Sequence, residues 1–155
     1  MQTRRDMLSH STKVALLLAS AGMLPAVARA QASGYNAASF EAKSIPELMK
    51  SLGGGTPTES KDVTVTGPDI AENGAVVPVG ASTALTGVKR MLILVEKNPA
   101  VLTAAFDVSD AIETNFSTRV KMGQSSNVYA VAMMGDGKVL FAQKEVKVTL
   151  GGCGG

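Results

Sequence analysis

One cysteine near the end of the chain is the residue whose surroundings are best suited to chemistry. Cys153 is the only cysteine among 155 residues, and two glycines stand on each side of it. Glycine has no side chain to bury and loses the most conformational freedom when it is ordered. We therefore expect residues 151–155 to form a mobile arm that exposes a thiol. The four glycines of this arm are Gly151, Gly152, Gly154 and Gly155.

The thiol of Cys153 has no residue beside it that would activate it. Thiolates form readily next to lysine, arginine or histidine, or at the start of a helix, and the neighbouring glycines offer none of these. Five extended residues span about 16 Å, and a strip without side chains around the thiol could enter a narrow channel. The pattern favours a covalent attachment point that is carried into the active sites of other proteins, as in other group carriers.

Two other uses of Cys153 compete with this interpretation. An exposed cysteine of an exported protein can link two chains into a disulfide-bonded homodimer, which would make the tail a structural element only. A peroxide- or thiol-redox protein would need an activated thiol and a second, resolving cysteine, and the sequence offers neither. A single thiol also falls short of the ligand count of a metal site.

The composition excludes several classes of function. Residues 31–155 carry 11 basic and 12 acidic side chains, and this near-neutral balance argues against nucleic acid or an anionic membrane as a partner. The only histidine is His10, in the leading segment. Ser-His-Asp and Cys-His catalysis, histidine-bound metals and an intramolecular disulfide are thereby excluded from the body of the protein. We expect a protein that has no cofactor and no metal of its own.

Residues 1–30 have the organisation of an export signal. Arg4 and Arg5 stand ahead of an apolar core over residues 14–24, and Ala28-Arg29-Ala30 forms a cleavage site. The core has about 11 residues and a membrane span about 20, so we expect cleavage and no membrane anchor. The arginine pair predicts the twin-arginine route to the periplasm, with an ordinary secretory signal as the alternative. Because that route carries folded proteins, export together with a partner subunit is a further hypothesis.

The N-terminal segment, residues 31–58, is predicted to contain one short helix. Residues 31–43 are small and polar and indicate a loose start. Ser44 followed by Glu47 three positions later is a capping signature, and the glycine-rich residues 53–58 should end the helix and form a linker. The apolar residues of this helix form one stripe, which should dock on the body rather than on a partner: Ile45, Leu48, Met49 and Leu52.

Residues 59–150 have the pattern of about seven short strands separated by turns. Met91–Val95 is apolar on both faces and should be a central strand, and Asp136-Gly137 should form a hairpin turn. Pro78 cannot donate a ladder hydrogen bond, so its strand should lie at a sheet edge. The pattern predicts an all-β fold, an immunoglobulin-like antiparallel β-sandwich with a short N-terminal helix and a flexible C-terminal arm.

Several parts of the chain resemble one protein family. The Gly-Gly-Cys-Gly-Gly end follows a Lys-Val-Thr-Leu strand, and residues 70–79 are similar to an early strand pair of the family. Residues 117–122 and 126–131 resemble its central portion. Together with the leader, the likeness covers nearly the whole chain, and the glycine-flanked cysteine is its most specific part. The chain thus resembles SoxY, the substrate-carrier subunit of the bacterial thiosulfate-oxidising Sox system.

The resemblance implies that sulfur intermediates are held covalently on Cys153 and that the flanking glycines form a swinging arm. It implies a heterodimer with a SoxZ-like subunit, a small β-sandwich protein without an export signal, which would explain the twin-arginine leader. It also implies transient visits to enzymes. The SoxAX cytochrome couples thiosulfate oxidatively to the cysteine sulfur, SoxB hydrolyses off the terminal sulfone as sulfate, and SoxCD, where present, oxidises the remaining sulfur. The resemblance implies that the carrier itself is not an enzyme.

Overall fold

The computed structural model describes residues 36–150, in which two short helices precede nine strands. Helix α1 covers Ala37–Glu41 and helix α2 covers Ile45–Ser51. The strands are β1 (Pro57–Glu59), β2 (Val63–Thr66), β3 (Ile70–Ala71), β4 (Val77–Thr83), β5 (Val88–Val95), β6 (Leu102–Asp107), β7 (Asn115–Val120), β8 (Ser126–Met134) and β9 (Val139–Val148). Neither helix in the described range has the length and apolar character needed to cross a bilayer.

The strands form two sheets that pack face to face. The larger sheet has the order β1–β9–β8–β5–β6, with β3 also paired to β9, and the smaller sheet has the order β2–β4–β7. The other neighbours pair antiparallel, whereas β1 and β3 run parallel to β9. This arrangement confirms the predicted all-β, immunoglobulin-like sandwich and adds two short parallel strands to an otherwise antiparallel fold.

The larger sheet is covered on both faces, because alternate side chains of β5 point into two different hydrophobic clusters. Met91, Ile93 and Val95 belong to the core between the two sheets, whereas Leu92 and Leu94 pack with the helices, and all five are at most 1% exposed. Successive side chains of a strand point to opposite faces, so a strand that is apolar at every position needs cover on both sides. The prediction that this strand is central is confirmed, because β5 lies between β8 and β6.

Helix α2 covers the outer face of the larger sheet, which confirms the prediction that its apolar stripe docks on the body. Leu48 is fully buried and Met49 is 4% exposed, and both pack in the cluster on that outer face. The helix begins where the capping signature placed it: the Glu47 N–H donates to Ser44 Oγ at 3.4 Å, and the Lys43 N–H donates to Glu47 Oε2 at 2.9 Å. The first bond satisfies an N–H group that a helix start leaves free, and the second holds the residue before the cap against the first turn.

Two short segments differ from the predicted elements. Residues 37–41, expected to be a loose start, form α1, in which Ser39 is buried with its Oγ 2.9 Å from Ser51 Oγ. Residues 57 and 58, expected to end the linker, belong to β1, whose three residues 57–59 pair with residues 139–141 of β9. Elements of five and three residues carry little local signal, so contacts distant in sequence decide their structure.

The prediction that Pro78 marks an edge strand is wrong, because β4 lies in the middle of the smaller sheet. The Thr83 N–H donates to Thr114 O, on the β7 side, and alternate residues of a strand direct their N–H groups to opposite sides. An N–H at position 78 would therefore point towards β2, but β2 pairs only with residues 80–83 of β4. Proline is tolerated there because no ladder hydrogen bond is lost.

The hairpin between β8 and β9 forms as predicted. Gly137 has φ +89°, a conformation that other residues rarely adopt, and Asp136 Oδ1 accepts a hydrogen bond from the Lys138 N–H at 3.0 Å. The Met134 N–H donates to Lys138 O at 2.8 Å and closes the turn. This turn sets the register of β9, the strand that leads to the cysteine tail.

Gly80 is a position at which the smaller sheet leaves no room for a side chain. A Cβ at this residue would collide with Thr66 Oγ1 on β2 and would lie 3.1 Å from the Phe116 carbonyl oxygen on β7. We expect Gly80→Ala to lower the free energy of unfolding by about 1–3 kcal/mol, as overpacking does elsewhere. Urea unfolding measures this loss.

Thr66→Ala combined with Gly80→Ala is the matched control. The Thr66 Cβ would lie 3.8 Å from the methyl carbon that alanine adds at position 80, which is an ordinary contact, so removal of Oγ1 should recover part of the loss. The loss of unfolding free energy caused by Gly80→Ala is measured in the native background and in the Thr66→Ala background. An equal cost in both backgrounds would show that the collision with Thr66 is not the cause.

Candidate functional site

The residues that the sequence marks as the functional site lie outside the described residues. They are Gly151, Gly152, Cys153, Gly154 and Gly155. The structure does place the residue that precedes them: Leu150 follows the end of β9 and is 71% exposed. The structural surroundings of the site are therefore those of its arm root, which we define as residues 69–76 together with residues 147–150.

Hydrogen bonds hold the end of β9 to residues 69–76 as far as Leu150. Three main-chain hydrogen bonds of 2.7–3.1 Å and one side-chain hydrogen bond extend the pairing between β3 and β9 beyond the ends of these strands. The bonds run from Lys147 N to Asp69 O, from Thr149 N to Ala71 O, from Gly74 N to Leu150 O, and from Thr149 Oγ1 to Glu72 O. Because the carbonyl of Leu150 is fixed, the tail begins at a defined point.

Side chains brace the arm root against the rest of the sandwich. Lys144 Nζ lies 2.9 Å from Asp69 Oδ1 and donates to Gly67 O at 2.7 Å. The hydrogen bond from the Lys144 ammonium, together with its charge, holds the pKa of Asp69 below its ordinary value. The Val148 N–H donates to Ser125 Oγ at 2.9 Å, which ties β9 to the loop before β8.

Three apolar side chains of the arm root are exposed to solvent. The exposed fractions are 58% for Ile70, 55% for Val76 and 71% for Leu150, and we call these three residues the apolar rim. Single exposed apolar residues are normal on a protein surface, but a group of them is typical of an interaction site. A further large exposed apolar residue, Ile112, is 47% exposed and lies between β6 and β7.

A polar cluster lies at the same end of the larger sheet. Glu96 Oε2 accepts hydrogen bonds from Asn127 Nδ2 at 3.1 Å and from the Tyr129 hydroxyl at 3.3 Å. Burial raises the pKa of Tyr129, and the charge of Glu96 raises it further. The phenol therefore stays protonated at neutral pH, and it acts here as a hydrogen-bond donor to the carboxylate.

The described residues place no metal site at the arm root. Residues 36–150 contain no group of three or more His, Cys, Asp or Glu side chains that could hold a metal ion. An open cleft of about 750 Å³ is lined by Lys61, Thr64, Ser82 and Thr114, at the end of the smaller sheet remote from the arm root. What the arm root offers is a fixed starting point for the tail and three exposed apolar side chains.

The sequence predicts a site in the tail but gives no prediction of the arm root. Strand β3 has only two residues, and its partner in β9 is far away in the sequence, so no periodic pattern predicts the pairing. One signal was available: Ile70 and Val76 are large apolar residues in a segment that otherwise carries turn residues. Such residues are candidates for an exposed contact surface.

Fold and tail together define a class of protein, an immunoglobulin-like β-sandwich whose last strand leads into a glycine-flanked cysteine. A family model for the sulfur oxidation protein SoxY matches residues 48–153, so the match begins within α2 and ends at Cys153. The chain belongs to the SoxY family of sulfur oxidation proteins, which confirms the resemblance seen in the sequence.

The chain is also similar to solved structures. It matches the sulfur carrier protein SoxY from Chlorobium limicola f thiosulfatophilum with 33% identity and a TM-score of 0.61, covering 68% of this chain and 94% of that chain. It matches a superoxide reductase (neelaredoxin) from Ignicoccus hospitalis with 16% identity and a TM-score of 0.50, covering 56% of this chain and 79% of that chain. The second likeness concerns the fold alone. Comparison with curated proteins gives no significant match.

Proposed function

We propose that this chain is a periplasmic carrier that holds intermediates of thiosulfate oxidation covalently on Cys153 and presents them to partner enzymes. The observation that carries the proposal is the arm root, where β9 is hydrogen-bonded as far as an exposed Leu150 and the sequence continues as Gly-Gly-Cys. The family match ends at Cys153, and the Chlorobium relative is a sulfur carrier protein. The proposed swinging arm consists of Gly151, Gly152, Gly154 and Gly155.

The proposed chemistry takes place on the sulfur of Cys153. In the loading step the thiol loses its proton, a bond forms to the sulfane sulfur of thiosulfate, and two electrons pass to the SoxAX cytochrome. Hydrolysis by SoxB then breaks the bond between the outer sulfur and the sulfonate group, which releases sulfate and leaves a persulfide on the carrier. SoxCD, where present, would oxidise that remaining sulfur. The enzymes supply the catalytic groups in each step, so the proposed carrier is not an enzyme and uses no cofactor or metal of its own.

The proposed stable partner is a SoxZ-like subunit, in a heterodimer that is exported as a folded unit. We propose four parts of the chain: a cleaved twin-arginine signal over 1–30, an N-terminal segment over 31–58, the carrier sandwich over 59–150 and the arm over 151–155. Expression of the chain with a reporter, with and without the partner subunit, tests joint export. Full export in the absence of the partner would contradict it.

Intact mass spectrometry tests the carrier proposal. Mature protein taken from cells that are oxidising thiosulfate is expected to carry adducts in whole sulfur or sulfonate increments. The same sample treated with a thiol reductant is the control, and it should return to the mass of the free thiol. A sample that contains only the free thiol and a disulfide-linked dimer during active oxidation would contradict the proposal. That result would favour an exported structural or binding domain whose cysteine only joins two chains.

The apolar rim leads to a prediction about enzyme docking. Cys153 follows Leu150 by three residues, so their Cα atoms lie within about 11 Å of each other, and a pocket that encloses the thiol has to approach the rim. Ile70→Ser combined with Val76→Ser removes apolar surface worth about 1–2 kcal/mol on burial. We expect kcat/KM of the loading enzyme to fall by about tenfold, since about 1.4 kcal/mol corresponds to that factor.

The chain provides two controls for this docking prediction. Ile112→Ser changes an exposed apolar residue away from the arm root and should leave kcat/KM unaltered. Alkylation of Cys153 by iodoacetamide needs no docking and should proceed at the same rate in every variant. A loss in the Ile112 variant equal to that in the rim variant would show that the rim has no special role.

A further inference from the structure

We propose that Lys97, Arg119 and Lys121 form a cationic strip that holds the anionic sulfur adduct of Cys153 against the sandwich between visits to enzymes. The inference rests on the proposed carrier function and adds to it a resting position for the loaded arm. The occupant of the strip is the segment over residues 151–155 of the same chain, in its loaded form.

Main-chain hydrogen bonds place one end of the strip beside the arm root. The Gly74 N–H donates to Leu150 O and the Met122 N–H donates to Gly74 O, both at 2.7 Å. Gly74 therefore bridges Leu150, where the tail begins, and Met122, the residue that follows Lys121. Arg119 precedes Lys121 by two positions, and residues with this spacing in an extended chain point to the same face.

The loop after β5 brings the third cation to the same place. Asn98 Nδ2 donates to the Lys121 carbonyl oxygen at 2.7 Å, and Lys97 is the neighbour of Asn98. The Lys97 N–H in turn donates to Ser126 Oγ at 3.0 Å, which fixes the backbone of this loop against the start of β8. The three cations therefore come from two segments, the end of β7 and the loop after β5, which meet beside the arm root.

The cations of the strip are available to bind an anion. All three are exposed, and within residues 36–150 none lies within ion-pair distance of a carboxylate. Of the carboxylates at this end of the sandwich, Glu96 already accepts hydrogen bonds from two neighbours. Glu72 and Glu145 are exposed and form no ion pair within the described range, so they are the counter-charges that compete for the strip.

Length and charge favour the loaded tail as the occupant. The Cα of Cys153 lies within about 11 Å of that of Leu150. The adduct can therefore reach the surface beside Gly74, where the strip begins with Lys121. A thiosulfonate carries a negative charge and acceptor oxygens, which arginine and lysine bind well, whereas the free thiol has neither. Attraction between exposed charges is weak and is screened by salt, so an enzyme could release the arm readily.

The adduct can be installed without any enzyme, which separates this test from the carrier test. The Cys153 thiolate attacks an inner sulfur of tetrathionate, the central S–S bond breaks, and thiosulfate leaves with the electron pair. The protein keeps an S–S–SO₃⁻ group. Amide ¹⁵N relaxation of Gly154 and Gly155 then reports the mobility of the arm. We expect order parameters below about 0.6 for the free thiol and above that value for the loaded form at low salt. At about 0.5 M salt this difference should disappear.

Charge-neutral variants decide whether the strip is responsible. Replacement of its three residues by glutamine should leave the loaded arm as mobile as the free one. The matched control removes the same charge from exposed lysines elsewhere and should keep the difference; it combines Lys43→Gln, Lys50→Gln and Lys89→Gln. Unchanged melting temperatures show that all variants are folded.

Two results would overturn the resting position. One is equal mobility of the free and loaded arms in the native protein. The other is a glutamine variant whose loaded arm is as ordered as that of the native protein. If enzymatic loading of this variant is also slow, the strip binds an acidic surface of a partner instead. Adducts seen by mass spectrometry would stand in either case, so failure of the strip is distinguishable from failure of the carrier function.

Discussion

Replacement of Cys153 by serine is expected to abolish sulfur carriage while the melting temperature stays unchanged. The chain has no other cysteine, so no second thiol can take over the S–S bond to the sulfur substrate. Within the described residues 36–150, the hydrogen bonds that hold the arm root reach Leu150, three residues before the substitution. Incubation with thiosulfate and the loading enzyme, followed by intact mass spectrometry, measures carriage, and thermal unfolding measures stability.

Cys153→Ala serves as the second variant, because it removes the polar group as well as the sulfur. Both variants should show the unmodified mass after incubation, and both should unfold at the temperature of the native protein. A thiosulfate-dependent adduct on either variant would reveal another attachment site. A clear fall in melting temperature in both would show that the thiol packs against the body, which is incompatible with a free arm.

Substitutions that widen the arm should produce the second large effect. Gly152→Val and Gly154→Val each place a branched side chain next to the thiol, where a narrow channel of an enzyme would have to accommodate it. Overpacking of this kind costs about 1–3 kcal/mol, so kcat/KM for enzymatic loading should fall by about ten- to a hundredfold. Loading kinetics with each partner enzyme measure the loss.

The reactivity of the thiol itself provides the control for the glycine variants. Iodoacetamide reaches Cys153 without a channel, so its rate should change by no more than about twofold in any variant. Gly152→Ala and Gly154→Ala add less bulk and should give intermediate losses in the enzymatic assay. If alkylation and enzymatic loading slow down by the same factor, access to a channel is not what the glycines provide.

Local sequence patterns predicted the elements whose determinants lie close together in the chain. The apolar run at Met91–Val95, the cap formed by Ser44 and Glu47, and the Asp136-Gly137 turn each depend on a few neighbouring residues, and each was predicted correctly. The failure at Pro78 has a different origin. Whether proline is tolerated in β4 depends on where β2 ends, which no property of β4 itself reveals.

The same distinction applies to the candidate site. Cys153 is conspicuous in the sequence because its glycine neighbours have no role in a folded core. The apolar rim and the cationic strip are assembled from segments that are adjacent only after folding, such as residues 70–76, Leu150 and residues 119–121. Hydrogen bonds through Gly74 bring these segments together, and the spacing of the residues along the chain gives no indication of them.

The position of β9 between β8 and the two parallel strands determines when the domain can fold. Lys144 contacts Gly67 across 77 residues, and β1 and β3 find their partner only in this last strand. Contacts between distant residues form slowly because the intervening chain must first be closed into a loop. Until β9 has been synthesised, β1 and β3 near the start of the sandwich have no strand to pair with. The sandwich can therefore be completed only once residues 139–148 have been made, so this domain closes late in its own synthesis rather than strand by strand.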